Sequence, residues 1–365
     1  MKFIYFSKYK KVLINFAIFI VIFYLLIHSN VLVVGISNST NIFITKLIPA
    51  LFPYLLITEL LINSGTINNL SYGISSCLSR IFRIPQNTTP TVIIGFLLGY
   101  PNSAKYILKL YNEKKIDRKL ATKLVAFTSN ANMSYIIATV GISIFKSIET
   151  GIILATSHFL SSIIIGIFFT PSYNNIIIQQ TSTNSNSFKK IYSPFELMYT
   201  SINNTLKTLA FIFAYTVIFS LLPTVIFSDF SISPTIKAVL TGIFEISNGI
   251  NSIYLLNIPL NTKVILVSFV LSFSSLMILT QIFTFAFKAN VHFKDLIKYK
   301  LLQGFLSSFI TYITLEYVYF PAISVFINQD RFILDIYISP STVYMLTIFI
   351  TIICSVILFR KKRQG

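Results

Sequence analysis

The sequence predicts an all-α, polytopic membrane protein: about eight transmembrane helices plus re-entrant or broken helices, in two related halves. Three observations carry that expectation. Of 365 residues, 54% are hydrophobic and 11% charged, with a mean hydropathy of +0.76. The apolar residues come in blocks, several reaching the roughly 20 residues that a bilayer core of about 30 Å demands of a helix. The basic residues fall in short stretches between the blocks, as in loops that face the cytoplasm. Backbone groups inside lipid must be satisfied within their own segment, so the blocks read as helices.

The first block, about 12–34, follows Lys8, Lys10 and Lys11 like the start of a signal peptide, but it runs on through Val34 without a small-residue cleavage site and reads as a retained span. A second span, about 47–64, carries Pro49 and Pro53. Residues 66–84 mix Asn, Ser and Arg with apolar positions and read as interfacial. Residues 89–112 are interrupted by Gly99-Tyr100-Pro101-Asn102-Ser103, and basic residues flank both sides, which fits a re-entrant hairpin. Residues 120–145 are apolar, then polar over 128–134, then apolar again. An uninterrupted span, 151–170, leads to the polar stretch 171–192, expected as a cytoplasmic linker. Span 207–228 opens the second half, and 235–256 and 262–288 read as short or interrupted helices. Lys288, Lys294, Lys298 and Lys300 mark an expected cytoplasmic turn before spans at about 301–321 and 341–359. The expected division is an N-terminal span and interfacial segment (1–44), a first repeat (45–170), the linker (171–192), a second repeat (193–290) and C-terminal spans (291–365). Both termini are expected in the cytoplasm.

Composition narrows the function classes. The net charge of +18 would suggest nucleic acid in a soluble chain, but here it is a loop charge; the lipid bilayer is the expected partner and nucleic acid is not. Cys77 and Cys354 lack metal-ligand spacing, and no phosphate-binding Gly-rich loop or His-Glu-x-x-His motif occurs, so neither metal, cofactor nor enzymatic activity is expected.

The interruptions carry the candidate site. Gly95 to Ser103 can be laid on Ser268 to Leu276, each reading small, Phe, aliphatic, Leu, small, aromatic and then a break; an isolated acid precedes each, Glu59 and Glu245. Interrupted apolar segments in matching places of two halves point to a transporter's binding site. A helix that restarts in the membrane presents free N–H groups and a partial positive charge, which favour anions. Asn102 and Ser103 are expected to cap a helix resuming at Ala104, with Lys105 in its first turn. The candidate solute-binding residues are Gly99, Tyr100, Pro101, Asn102, Ser103, Lys105, Thr128, Ser129, Asn130, Asn132, Ser274, Ser275 and Gln281. Glu59, Glu245 and His158 are candidates for proton coupling. Each also has a plainer reading: Lys105 as a snorkelling interfacial lysine, the 128–134 cluster as a wet helix break, His158 and Gln281 as interhelical hydrogen bonders, the acids as interfacial.

The stretch GFLLGYPNSAKYILKLYNEKKIDRKLATKLVAFTSNANMSYIIATVGISIF, followed by GIILATSHFLSSIIIGIFF, resembles the core of the YlbJ sporulation integral membrane proteins, of the nucleoside-recognition or Gate-domain membrane family. KLIPALFPYLLITELLINSG and the pair GIFEISNG with SFVLSFSSLMILTQ extend the resemblance to residues 45–290. Asn132-Met133 stands where members carry Asp-Pro; Ser274, Ser275 and Leu279 stand where they carry a Gly pair and a His, while Gln281 is retained. The resemblance implies a permease for a small anionic solute, dipicolinate moved towards the forespore, in a cell or forespore membrane. It also implies partners among copies of itself or other sporulation membrane proteins. The competing expectations are a non-transporting scaffold for the spore envelope and a membrane-embedded enzyme in which Glu59, His158 and Glu245 meet.

Overall fold

The computed structural model describes residues 29–170, 193–227 and 232–317. The expectations for the start of the first span, the 171–192 linker, the final span and both termini lie outside the described residues.

Among the described residues every regular element is helical. In chain order they are α1 (Ser29–Ile42), α2 (Ile48–Asn63), α3 (Thr66–Phe82), α4 (Thr89–Ile93), α5 (Asn102–Asn112), α6 (Arg118–Thr128), the π-helical segment Tyr135–Ile144, α7 (Ile148–Ile164), α8 (Pro194–Ile226), α9 (Pro234–Phe244), α10 (Ile246–Tyr254), α11 (Leu260–Phe273), α12 (Ser275–Ala286) and α13 (Phe293–Tyr317). Wider π turns extend α4 through Ile94–Leu98 and α7 through Ile165–Phe169.

Two long helices show which solvent the fold is built for. On α13, Lys300, Gln303, Ser307, Thr311 and Thr314 are buried, while Phe305 and Phe309 are each 61% exposed. On α8, Ser201, Thr205, Thr208, Thr216 and Ser220 are buried, while Phe195 and Tyr199 are exposed. A helix on a water-soluble core turns its apolar stripe inward. These turn polar groups inward, where they bond across helices, and apolar groups outward, as hydrocarbon surroundings require. Ser268 Oγ on α11, for instance, lies 2.8 Å from Ser307 Oγ and accepts from Thr311 Oγ1 at 2.7 Å. Four described helical stretches are long and apolar enough to cross a bilayer: Val33–Asn63, Ile148–Phe169, Pro194–Pro223 and Leu260–Ala289. The chain is an integral, multi-pass helical membrane protein. The expectation of about eight spans for the whole chain exceeds these four, because breaks divide several apolar blocks into short helices and because 1–28 and 318–365 lie outside the described residues.

Two boundaries differ from the sequence reading. Residues 35–46, expected to separate two spans, are helical throughout: α1 passes through a π turn, Phe43–Leu47, straight into α2. Its polar side chains fold back on the helix, Ser39 Oγ donating to Gly35 O at 2.8 Å and Thr45 Oγ1 to Asn41 O at 2.6 Å. The boundary at 44/45 therefore falls inside a helix. Second, α13 begins at Phe293, so Lys294, Lys298 and Lys300 belong to a helix and not to a turn.

Four breaks interrupt the apolar helices: at 99–101, at 129–132, at Glu245 and at Ser274. After the first break the chain runs α5, turn, α6, break, π-helical segment, turn, α7. After Glu245 it runs α10, turn, α11, break, α12, turn, α13. Two folds-back are set by glycine pairs. A Cβ added to Gly141 would lie 2.5 Å from Gly151 Cα, and one on Gly249 would collide with the Gly242 backbone.

Because α10 folds onto α9 through the Gly242–Gly249 contact, Gly249→Val should cost at least the about 1–3 kcal/mol typical of overpacking. Thermal unfolding of the purified protein in detergent reads this; an unchanged midpoint would contradict the contact.

Candidate functional site

Ending a helix inside an apolar core leaves carbonyls without intrahelical donors. The α6 end solves this with groups from α7, α13 and the first break, and with the side chain of Asn130. Phe127 O accepts from Ser162 Oγ of α7 at 2.5 Å and from Asn130 Nδ2 at 3.0 Å. Asn130 O accepts from Tyr100 N, in the first break, at 2.9 Å. Ser129 O accepts from Lys300 Nζ of α13. Lys300, completely buried, also donates to Gln303 Oε1 at 2.7 Å, and Gln303 Nε2 lies 3.3 Å from both Asn130 Oδ1 and His158 O. A cation at this end meets the negative pole of the α6 dipole.

His158, buried in α7, bridges the second and fourth breaks. Ala131 N donates to its Nε2 at 3.0 Å, and its Nδ1 lies 2.8 Å from Ser272 Oγ. Since Nε2 accepts, the neutral ring carries its proton on Nδ1 and donates to Ser272. This is the interhelical hydrogen-bonding role.

The first and second breaks touch directly. Gly99 has φ +68°, and an added Cβ there would lie 2.8 Å from Asn130 O, so both the left-handed backbone and the close approach call for glycine. The upstream helix end is satisfied by Tyr54 OH of α2, which donates to Leu97 O. The third break joins through Tyr135, whose OH lies 3.2 Å from Ser247 Oγ. Glu245, completely buried, caps α10: its carboxylate accepts from Ser247 N at 2.9 Å and Asn248 N at 2.6 Å. At the fourth break Ser274 is left-handed with φ +70°, and Ser275 Oγ accepts from Ile278 N at 3.4 Å.

Around these breaks several buried side-chain atoms make no hydrogen bond to the protein: Thr91 Oγ1, Asn102 Nδ2, Ser103 Oγ, Ser129 Oγ, Asn132 Nδ2 and Gln281 Nε2. Buried polar atoms of this kind require water or a solute as partner.

Most sequence-predicted residues thus lie at one polar centre. Gly99, Tyr100, Thr128, Ser129, Asn130, Asn132 and His158 are tied by contacts within it, Pro101 precedes α5, Glu245, Ser274 and Ser275 belong to the third and fourth breaks, and Gln281 lies buried within α12, seven residues past Ser274. Lys105 and Glu59 turn elsewhere, towards α8. Lys105 Nζ donates to Thr208 Oγ1 at 3.2 Å and lies 5.8 Å from the Phe285 ring centroid, and Asn204 Nδ2 donates to Glu59 Oε2 at 3.1 Å. The predicted capping by Asn102 and Ser103 is corrected: α5 starts at Asn102 behind Pro101, and neither side chain caps it. Proline needs no donor at the start, so the helix begins two residues earlier than the cap chemistry implied.

Lys300 is the largest correction and, with Gln303, Ser272, Tyr135 and Ser247, is among the residues sequence reasoning missed. Their signal was present: Lys300, Gln303, Ser307, Thr311 and Thr314 recur at helical spacing through an otherwise apolar stretch.

The chain is similar to the sporulation integral membrane protein YlbJ of Bacillus subtilis (strain 168), at 26% identity over 290 residues that cover 70% of this chain and 71% of that protein. The similarity supports the YlbJ-type resemblance. No protein-family model matches the chain, and no solved structure matches it.

A double-mutant cycle of His158→Leu with Ser272→Ala should give the coupling of one interhelical hydrogen bond, about 0.6–1.7 kcal/mol. Unfolding in mixed micelles measures it; additive single effects would mean that the bridge between the second and fourth breaks contributes nothing.

Proposed function

We propose that this protein is a permease for a small anionic solute, and that the solute is dipicolinate moved towards the forespore during sporulation. The observation that carries the transport reading is the convergence of four helix breaks on a buried centre with unpartnered polar atoms, inside an apolar exterior. Non-helical backbone at membrane depth is tolerated where it lines a cavity or is buried in protein. Broken helices that meet near the bilayer midplane are the usual construction of a transporter's solute site.

The two related halves are part of the same reading. The repeated order of break, helix, turn, helix, break, helix, turn, helix supports them. It does so in a different register from the sequence match of 95–103 with 268–276: by element order the 99–101 break corresponds to Glu245, and the 129–132 break to Ser274. In that register His158 of α7 and Gln303 of α13 occupy matching places, and both hold the 129–132 break.

The anionic preference rests on the N-terminus of α5, with Asn102 Nδ2 and Ser103 Oγ buried in its first turn. The sporulation role rests on the printed name of the relative and on the resemblance. The separate engagements of Glu59 with Asn204, His158 with Ser272 and Glu245 with α10 support a non-enzymatic reading, since a catalytic set would converge.

Spores of a strain lacking this gene should be poor in dipicolinate. Wild type should restore it, and Asn102→Ala with Ser103→Ala, at equal membrane levels by blot, should restore it poorly. Two lost bonds to a charged solute, at about 1.5–3 kcal/mol each, slow flux at limiting solute by tenfold or more. Normal dipicolinate in the deletion strain would sink the substrate assignment; a spore-envelope defect with dipicolinate unchanged would put the scaffold reading in its place.

A further inference from the structure

Lys300 is the least expected group in the fold. It sits on α13 with no exposed surface, whereas Lys294 and Lys298 of the same helix are exposed. A lysine near a helix end can snorkel to the interface, and Lys300 does not. Its ammonium is held by two neutral oxygens, Ser129 O and Gln303 Oε1. No carboxylate among the described residues pairs with it. The buried acids are engaged elsewhere: Glu245 accepts from two backbone N–H groups of α10, and Glu59 from Asn204 of α8.

A buried charge is tolerated when it is paired, and the partial charge at the end of α6 offsets only part of a full one. An ammonium has three donors, so one N–H remains beyond Ser129 and Gln303. Other buried donors of the second break and of α7 also lack a protein partner: Ser129 Oγ on the residue whose carbonyl Lys300 holds, Asn132 Nδ2, and Ser157 Oγ next in sequence to His158. All can donate, and a carboxylate is the ligand that accepts from several donors at once.

We propose that Lys300 is the specificity-determining charge of the polar centre, and that its remaining N–H takes a carboxylate oxygen of the transported solute. This rests on the transport reading above and deepens it. That reading places anion preference at the α5 N-terminus; Lys300 supplies an ammonium from α13. It selects carboxylate-bearing solutes over neutral isosteres, because a neutral solute leaves the ammonium uncompensated. Gln303, bonded to both Lys300 and Asn130, positions the ammonium and reports its occupancy to the second break.

The test uses purified full-length protein in liposomes and reads the entry of radiolabelled dipicolinate. Wild type, Lys300→Arg and Lys300→Gln are compared, with the neutral pyridine-2,6-dicarboxamide and unlabelled dipicolinate as competitors. Wild type should carry dipicolinate and be blocked by dipicolinate but not by the diamide. Lys300→Gln should lose flux about tenfold or more, the worth of a charge-assisted hydrogen bond, and lose its discrimination between the two competitors. Lys300→Arg should keep the discrimination. Equal flux and equal discrimination in Lys300→Gln would overturn the role of Lys300 while leaving transport intact. If Lys300→Gln does not fold, the wild-type competition still decides: inhibition by the diamide as strong as by dipicolinate overturns the proposal. If wild-type protein admits no dipicolinate, the transport reading fails, and this inference fails with it.

Discussion

The carbonyl end of α6 is the point on which the described fold depends. A helix that stops in an apolar interior leaves acceptors that neither lipid nor neighbouring methyl groups can satisfy, each at a cost of several kcal/mol. Here the Asn130 side chain answers locally, and the other donors come from distant parts of the chain: Ser162 of α7, Lys300 of α13 and the Tyr100 amide of the first break. One local interruption thereby fixes the relative positions of α6, α7, α13 and the α4–α5 break. His158 extends the set to α11 through Ser272, and Tyr135 extends it to α10 through Ser247. Packing follows the same plan: α13 lies along α11 and α7, and α12 lies against α5.

Such a centre is firmly specified yet cheap to rearrange. Specification comes from the number of partners that must coincide and from sites that admit only glycine, as at Gly99 and Gly249. Interhelical hydrogen bonds in membrane proteins are individually worth about 0.6 kcal/mol, so exchanging one partner for a solute oxygen or a water is a small step. The contacts between breaks, Tyr100 with Asn130 and Tyr135 with Ser247, are single bonds of this kind. The apolar exterior of α8 and α13 leaves the lipid-facing surface indifferent to that exchange.

What the sequence made legible was where helices had to stop. Gly99-Tyr100-Pro101 and the polar run 128–134 disrupt apolar periodicity locally, and the 99–101 and 129–132 breaks fall there. The membrane class followed from block length and hydropathy. Less legible was what the polar residues were for. Lys300 looked like a loop charge because Lys294 and Lys298 stand beside it, and only the helical phase, with Lys300 on the opposite face from Lys298, separates them. Asn102 and Ser103 carry the chemistry of caps, but Pro101 starts the helix without one and frees both side chains. The continuity of α1 and α2 was hidden because Ser39 and Thr45 look like loop residues until their hydroxyls are seen bonded within the helix. Partnerships such as Lys300 with Ser129, 171 residues apart, have no local signature at all.

The central claim is that the helix breaks form one polar centre open to an aqueous solute. The most direct measurement is cysteine accessibility in a background lacking Cys77 and Cys354, with single cysteines at positions 103, 129, 132 and 275. Positions 305 and 309 serve as lipid-facing controls. In native membranes the account predicts that a membrane-impermeant thiol reagent labels the four centre positions, that dipicolinate slows the labelling at all of them together, and that the controls are unaffected by it. Four positions as unreactive as the controls, or labelled at rates that no solute changes, would contradict the claim and leave the breaks as features of packing alone.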